Sequence, residues 1–295
     1  MQGKEMLSGV MLLWFILTAL SVLFVAIDSL KTPESPVLKW GFILLTAYTG
    51  PLGAFLYVLG CREPMPGLHE QYTAVRWRQV LGSTMHCVAG DGLGILAGAI
   101  IGGMIHLAKP AEIGLEYLLG FGFGWTIFQA LFMKESSGGS FSKALKNTFI
   151  PELVSMNYLM AAMVVVTTMG MSMVPESRDP ASMAFWFIMS MALLTGFIAA
   201  YPINWWLVSS HLKHGMMTVR PAPGNDMKTG DMDMKADENA AAGGHSAHGA
   251  PSAKGHDSNA QEGGVSPGMI AFMVILSFVI LAIGAGFALT LGTNM

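Results

Sequence analysis

The sequence predicts an all-α fold, a polytopic helical transmembrane bundle of about seven spans, and three observations predict it. The chain has 295 residues, of which 53% are hydrophobic and only 12% charged, about half the ~25% charge of a soluble domain. Apolar runs of about 18 residues or more recur, each long enough to cross a bilayer at about 1.5 Å per residue. Polar and turn-forming stretches separate these runs, and none has the patterning of a soluble domain. The net charge of −3 is too small to point to nucleic acid.

Taken in order, the first span covers about Leu7 to Asp28 and lacks a small-residue cleavage site, so it reads as a retained helix. The second, about Val37 to Gly60, is interrupted by Gly50-Pro51, where a kink is expected. After the polar stretch Cys61 to Arg78, the third covers about Val80 to Leu107. Its Gly90, Gly94, Gly98 and Gly102 recur every fourth residue, a ridge that lets a neighbouring backbone approach closely. The fourth runs about Ile113 to Met133, and the fifth about Pro151 to Met173, with Pro151 in its first turn. A connector, Val174 to Ala181, leads to the sixth, about Ser182 to Ser209, and about Gly268 to Gly292 gives a seventh. The stretch from about Gly215 to Pro267 has no apolar periodicity and reads as a disordered loop.

Four segments follow: 1–79 with two spans and a polar loop, a four-span core at 80–217, the Met/His-rich loop 218–267, and a last span in 268–295. Seven spans place the termini on opposite sides. Lys4, Arg62, Arg76, Arg78, Lys134, Lys143 and Lys146, with the basic residues of the long loop, outweigh Lys31, Lys39, Lys109 and Arg178. Lysine and arginine gather on the cytoplasmic side. The expectation is a prokaryotic plasma-membrane protein with N-terminus and Met/His loop cytoplasmic and C-terminus outside.

Ionisable groups inside a membrane segment are costly and point to function by default. His86, Cys87 and Asp91 sit two to three turns into the third span, Cys87 and Asp91 on one face. Gln129, Glu152 with Met156, Tyr201 and Asn204, and then His211, His214 and Met216, fall at the same end of their spans. A polar cavity in one half of the bilayer is therefore expected. Each residue has a plainer reading: the histidine as a hydrogen-bonded core residue, the cysteine as a small hydrophobe, and Met156, Met160 and Met163 as gap-filling core. Trp205 and Trp206 read as interface anchors.

Thiolate, thioether and imidazole together select Cu(I) or Zn over Mg or Ca, and the 24 methionines tip that choice toward copper. His86, Cys87, Asp91, His211, His214 and Met216 are the candidate metal site. Gln129, Glu152, Met156, Tyr201 and Asn204 support the cavity, and Met232, Met234, His245 and His248 are loop chelators. The two cysteines are too few for a disulfide framework.

His86-Cys87 followed by Gly90-Asp91, then Tyr201-Pro202-Ile203-Asn204-Trp205-Trp206-Leu207-Val208 and Lys213-His214-Gly215-Met216, resembles the bacterial and archaeal membrane family catalogued as domain of unknown function 4396. The likeness spans about Val80 to Met217. It implies a helical membrane domain and supplies no activity.

The expected function is binding, and transport, of a soft metal ion, foremost copper, by a protein in contact with the lipid bilayer. One alternative is an intramembrane enzyme with Cys87 as nucleophile and His86 or Asp91 as base, or a haem protein ligated by His86 and His211. Another is an accessory protein whose glycine ridge packs against other membrane subunits. No Walker, Rossmann or zincin motif is present, so ATP-driven pumping by this chain is not expected.

Overall fold

Apolar runs become helices because a backbone out of water satisfies its hydrogen bonds within its own segment. The computed structural model describes residues 2–62, 65, 68–133, 140–215 and 265–293, and among these there is no strand. Met216, Met232, Met234, His245 and His248, like the loop expected around them, lie outside the described residues. Helices α1 (Gln2–Asp28), α5 (Arg76–Met104), α8 (Phe141–Met173), α9 (Met183–Ser209) and α10 (Pro267–Thr293) each contain a stretch long and apolar enough to cross a membrane. Large apolar side chains on the outer faces of α1 and α10, among them Leu13, Leu20, Ile275 and Ile283, are exposed, as lipid-facing residues are.

Among the described residues five helices qualify, and the second and fourth expected spans take other forms. The second expected span is a hairpin. Ser35 caps α2 (Pro36–Thr49) by accepting from the Leu38 amide, and α2 stops at Gly50, whose φ of 61° lies in the left-handed region. Pro51 starts α3 (Pro51–Gly60) in the opposite direction. The two legs pack so tightly that a Cβ on Gly53 would lie 2.6 Å from the Thr46 Cα. The Phe42 and Tyr57 rings meet edge to face at 5.3 Å, and the Tyr57 hydroxyl donates to Asp28 at 3.0 Å. At 14 and 10 residues, the legs reach only about 21 and 15 Å. The chain therefore returns to the level of Asp28 instead of crossing.

The fourth expected span is a composite of α6 (Lys109–Phe123), one π-helical stretch (Gly124–Gln129) and α7 (Ala130–Met133). It runs antiparallel to α5 along the glycine ridge. A Cβ on Gly94 would lie 2.1 Å from the Leu119 carbonyl oxygen, and one on Gly98 2.7 Å from the Glu116 Cα. The fifth span starts earlier than expected: Ser140 caps α8 at the Lys143 amide, so Pro151 lies inside the helix and not in its first turn.

Asn157 Nδ2 donates to Ser277 Oγ at 2.9 Å, and Gly284 packs on the Ala161 backbone. These contacts ascend together along both chains, so α8 and α10 run parallel. The main core is a single apolar cluster of α2, α3, α5, α8 and α9, and Met156, Met160 and Met163 are buried within it.

Candidate functional site

Helix α9 ends in a Schellman turn. Leu212 N–H donates to Leu207 O at 3.0 Å and His211 N–H to Val208 O at 3.2 Å, with His211 at φ 56°. This reversal sends the next residues back into the bundle and buries Lys213. Its ammonium contacts the Cys87 Sγ directly and also donates to Asn204 Oδ1 at 3.0 Å and to Glu152 Oε2 at 3.2 Å. An ammonium has three donors, and all three find acceptors.

The acceptors are tied to one another. Cys87 Sγ donates to Glu152 Oε2 at 3.0 Å, and Gln129 Nε2 donates to that same oxygen at 2.9 Å and to Cys87 Sγ at 3.0 Å. Gln129 is the last residue of the π stretch, a distortion frequent at functional sites. Asn204 Nδ2 is held by Ser155 Oγ at 2.8 Å and by Ala200 O at 2.9 Å, which aims its carbonyl at Lys213.

Asp91 extends the cluster. A Cβ on Gly124 would lie 1.8 Å from Asp91 Oδ1 and 2.9 Å from Glu152 Oε1, so glycine is required where the acids meet. Neither Asp91 oxygen has a donor, although the carboxyl stands within hydrogen-bonding reach of Glu152. That contact becomes a bond only when one of the two acids carries a proton. Cys87, Asp91, Glu152 and Asn204 are wholly buried. Burial pulls the Lys213 ammonium toward neutrality, but Cys87 and Glu152 hold its pKa above the ordinary lysine value.

Of the residues singled out from sequence, Cys87, Asp91, Gln129, Glu152 and Asn204 thus come together. His86 is buried with its ring edge-on to Phe128 at 5.7 Å. Tyr201 donates instead to the Trp77 carbonyl at 3.1 Å, pinning α9 to the start of α5. Met156 lies in the apolar core against Gly120. His211 and His214 are exposed and lie beyond the end of the helix, which stops at Ser209. Lys213 was not among the expected site residues.

Residues 76–213 match a family model, that of a domain of unknown function, DUF4396. The matched segment is just under half of the chain, opens at the first residue of α5 and closes on Lys213. Every member of the DUF4396 segment's buried cluster, from Cys87 to Lys213, lies within those limits. No curated protein and no solved structure matches the chain.

Two openings flank the cluster. A pocket of about 290 Å³, bordered by Arg76, Gln79, His211, Lys213 and His214, reaches Lys213 from the end where α9 stops. Beside it a void of about 10 Å³ touches His86, Gln129 and His214, room for roughly one water or a bare ion. At the opposite end of α5 a pocket of about 390 Å³ lies among Gly102, His106, Glu112, Thr168 and Arg178.

Proposed function

We propose that the chain is a membrane carrier for a small cation, and that Lys213 is the resident cation of its central site. The observation that carries this reading is the seating of the Lys213 ammonium on Cys87, Glu152 and Asn204. A buried carboxylate cannot be left unpaired, so an incoming cation can enter only as the lysine leaves. The void beside Gln129 has room for roughly one water or a bare ion, which favours an ion as its occupant.

The thiol narrows the cargo to a soft monovalent ion, Cu(I) or its analogue Ag(I). Loading would form the metal–sulfur bond, pass the Cys87 thiol proton to Glu152 Oε2, which already accepts its hydrogen bond, and release the ammonium toward the pocket lined by His211 and His214, so that the site stays neutral.

The hairpin also supports an orientation. With α2 and α3 returning to the level of Asp28, the described basic residues Lys31, Lys39, Arg62, Arg76, Arg78, Lys143 and Lys146 gather at one face, against Lys4, Lys109 and Arg178 at the other. The first face is cytoplasmic by the positive-inside rule. The Lys213 opening and the Met/His loop then face the cytoplasm, while both termini lie outside.

The test is Ag(I) uptake into liposomes containing the purified protein. Wild type should load the vesicles and Cys87→Ser should not. Equal uptake by the two, with both proteins folded and inserted, removes the central site.

A further inference from the structure

A second buried group of chemically active side chains lies outside the family segment. Glu34 sits between α1 and α2, Cys61 caps the end of α3, and His69 opens α4 (His69–Thr73). The α2–α3 hairpin is what brings them together, by returning Cys61 to the level of Glu34. His69 Nε2 lies 3.1 Å and Cys61 Sγ 3.9 Å from Glu34 Oε1, and one donor atom from each residue falls within 4.8 Å of the others. All three side chains are buried, and Glu34 Oε2 is buried without a hydrogen-bond partner. An orphaned carboxylate oxygen is costly, and a bound cation is one way of satisfying it.

We propose that Glu34, Cys61 and His69 form a zinc-class metal site with an open fourth position. Tetrahedral zinc bonds of about 2.0–2.3 Å place neighbouring nitrogen and oxygen ligands about 3.3 Å apart and oxygen and sulfur about 3.5 Å apart. The observed separations of 3.1 and 3.9 Å bracket those edges, so small side-chain rotations suffice. A carboxylate and a thiolate carry two negative charges, which a divalent ion neutralises and Cu(I) does not. Lys39 is the cation that acts on Glu34 and Cys61, without an ion pair to either, and Arg62 is paired with Asp28 at 2.9 Å. Three protein ligands leave one position for water or an exchangeable ligand. Bound metal would tie the α1–α2 connection, the end of α3 and α4 into one unit.

The full-length protein in detergent is titrated with Co(II), whose thiolate complexes give an intense near-ultraviolet charge-transfer band. The chain has two cysteines, both free, so the band reports directly on which one binds. It should appear in wild type and in Cys87→Ser, vanish in Cys61→Ser, change shape in Glu34→Gln, and bleach when Zn(II) is added. Histidines and methionines of the loop give no such band. A wild type without the band, or a Cys61→Ser variant that keeps it, overturns the site. Should Cys61→Ser not fold, alkylation of the wild type decides: Zn(II) must slow modification of Cys61 at least tenfold, and an unchanged rate overturns the proposal. A carrier that fails at Cys87 leaves these outcomes untouched.

Discussion

The two buried polar clusters of this molecule solve the cost of desolvation differently. At Cys87 and Glu152 the chain supplies its own cation, Lys213, and every ammonium donor is used. At Glu34, Cys61 and His69 one carboxylate oxygen is left without a donor. The first is complete and must be opened to bind anything. The second is incomplete and becomes satisfied by binding. The first lies within residues 76–213 and depends on a helix end; the second lies before them and depends on a hairpin.

The largest effect should come from breaking the completed cluster. Lys213→Met strands Glu152 in the interior, which costs about 3–5 kcal/mol, and thermal unfolding in detergent should show it as a large fall in midpoint. Lys213→Met combined with Glu152→Gln, which removes the stranded charge, should recover much of the loss. A double variant no more stable than the single one would show that Lys213 matters for packing and not for charge.

Next comes the glycine contact that lets the clustered helices meet. Gly94→Ala forces its Cβ into the Leu119 carbonyl, and overpacking of this kind costs about 1–3 kcal/mol. A calorimetric midpoint equal to wild type would mean that α5 and α6 stand farther apart than described.

The second cluster should respond to metal and pH with a sign of its own. Burial raises the Glu34 carboxyl above its ordinary pKa despite the lowering effect of His69, and raises the Cys61 thiol well above its own. A carboxyl raised on folding gives stability that is present at low pH and lost as pH rises through its folded value. Metal-free protein should therefore lose a little stability as pH rises above the ordinary carboxyl range. The stabilisation added by Zn(II) should run the other way, growing with pH as the ion displaces fewer protons. Melting curves with and without Zn(II), taken across pH, check both signs.

The smallest effect concerns the turn that delivers Lys213. His211 holds φ 56°, a conformation glycine adopts without strain. His211→Gly should leave stability unchanged or raise it by up to about 1 kcal/mol. A clear fall in melting temperature would assign the His211 side chain a structural contact.

Much of this architecture was legible because it is written in composition. The runs of α1, α5, α8, α9 and α10 are continuous and apolar, and the four-residue glycine period announces the α5 face that receives α6. Asp91, Glu152 and Asn204 stood out because polar groups are rare in such runs. The hairpin was not legible: Gly50-Pro51 reads alike as a kink within a crossing and as a reversal, and only the backbone angle at Gly50 separates them. Without that reversal nothing joins Glu34 to Cys61. Lys213 was missed for a related reason. The residue that ends α9 in the left-handed conformation is a histidine, so no glycine marked the turn. A lysine past a helix end ordinarily reads as surface charge. Its place in the Lys213-His214-Gly215-Met216 motif was the signal that could have found it.

The central claim is that Lys213 holds the place of a cation. The most direct measurement is the equilibrium affinity of the Cys87 site for Ag(I) in Cys61→Ser protein, compared with the same protein carrying Lys213→Met at a pH where both are folded. Loop ligands contribute equally to the two, so the difference isolates the lysine. The account predicts at least tenfold tighter binding without the lysine, and loss of that gain when Cys87→Ser is added. An affinity unchanged by Lys213→Met would contradict it.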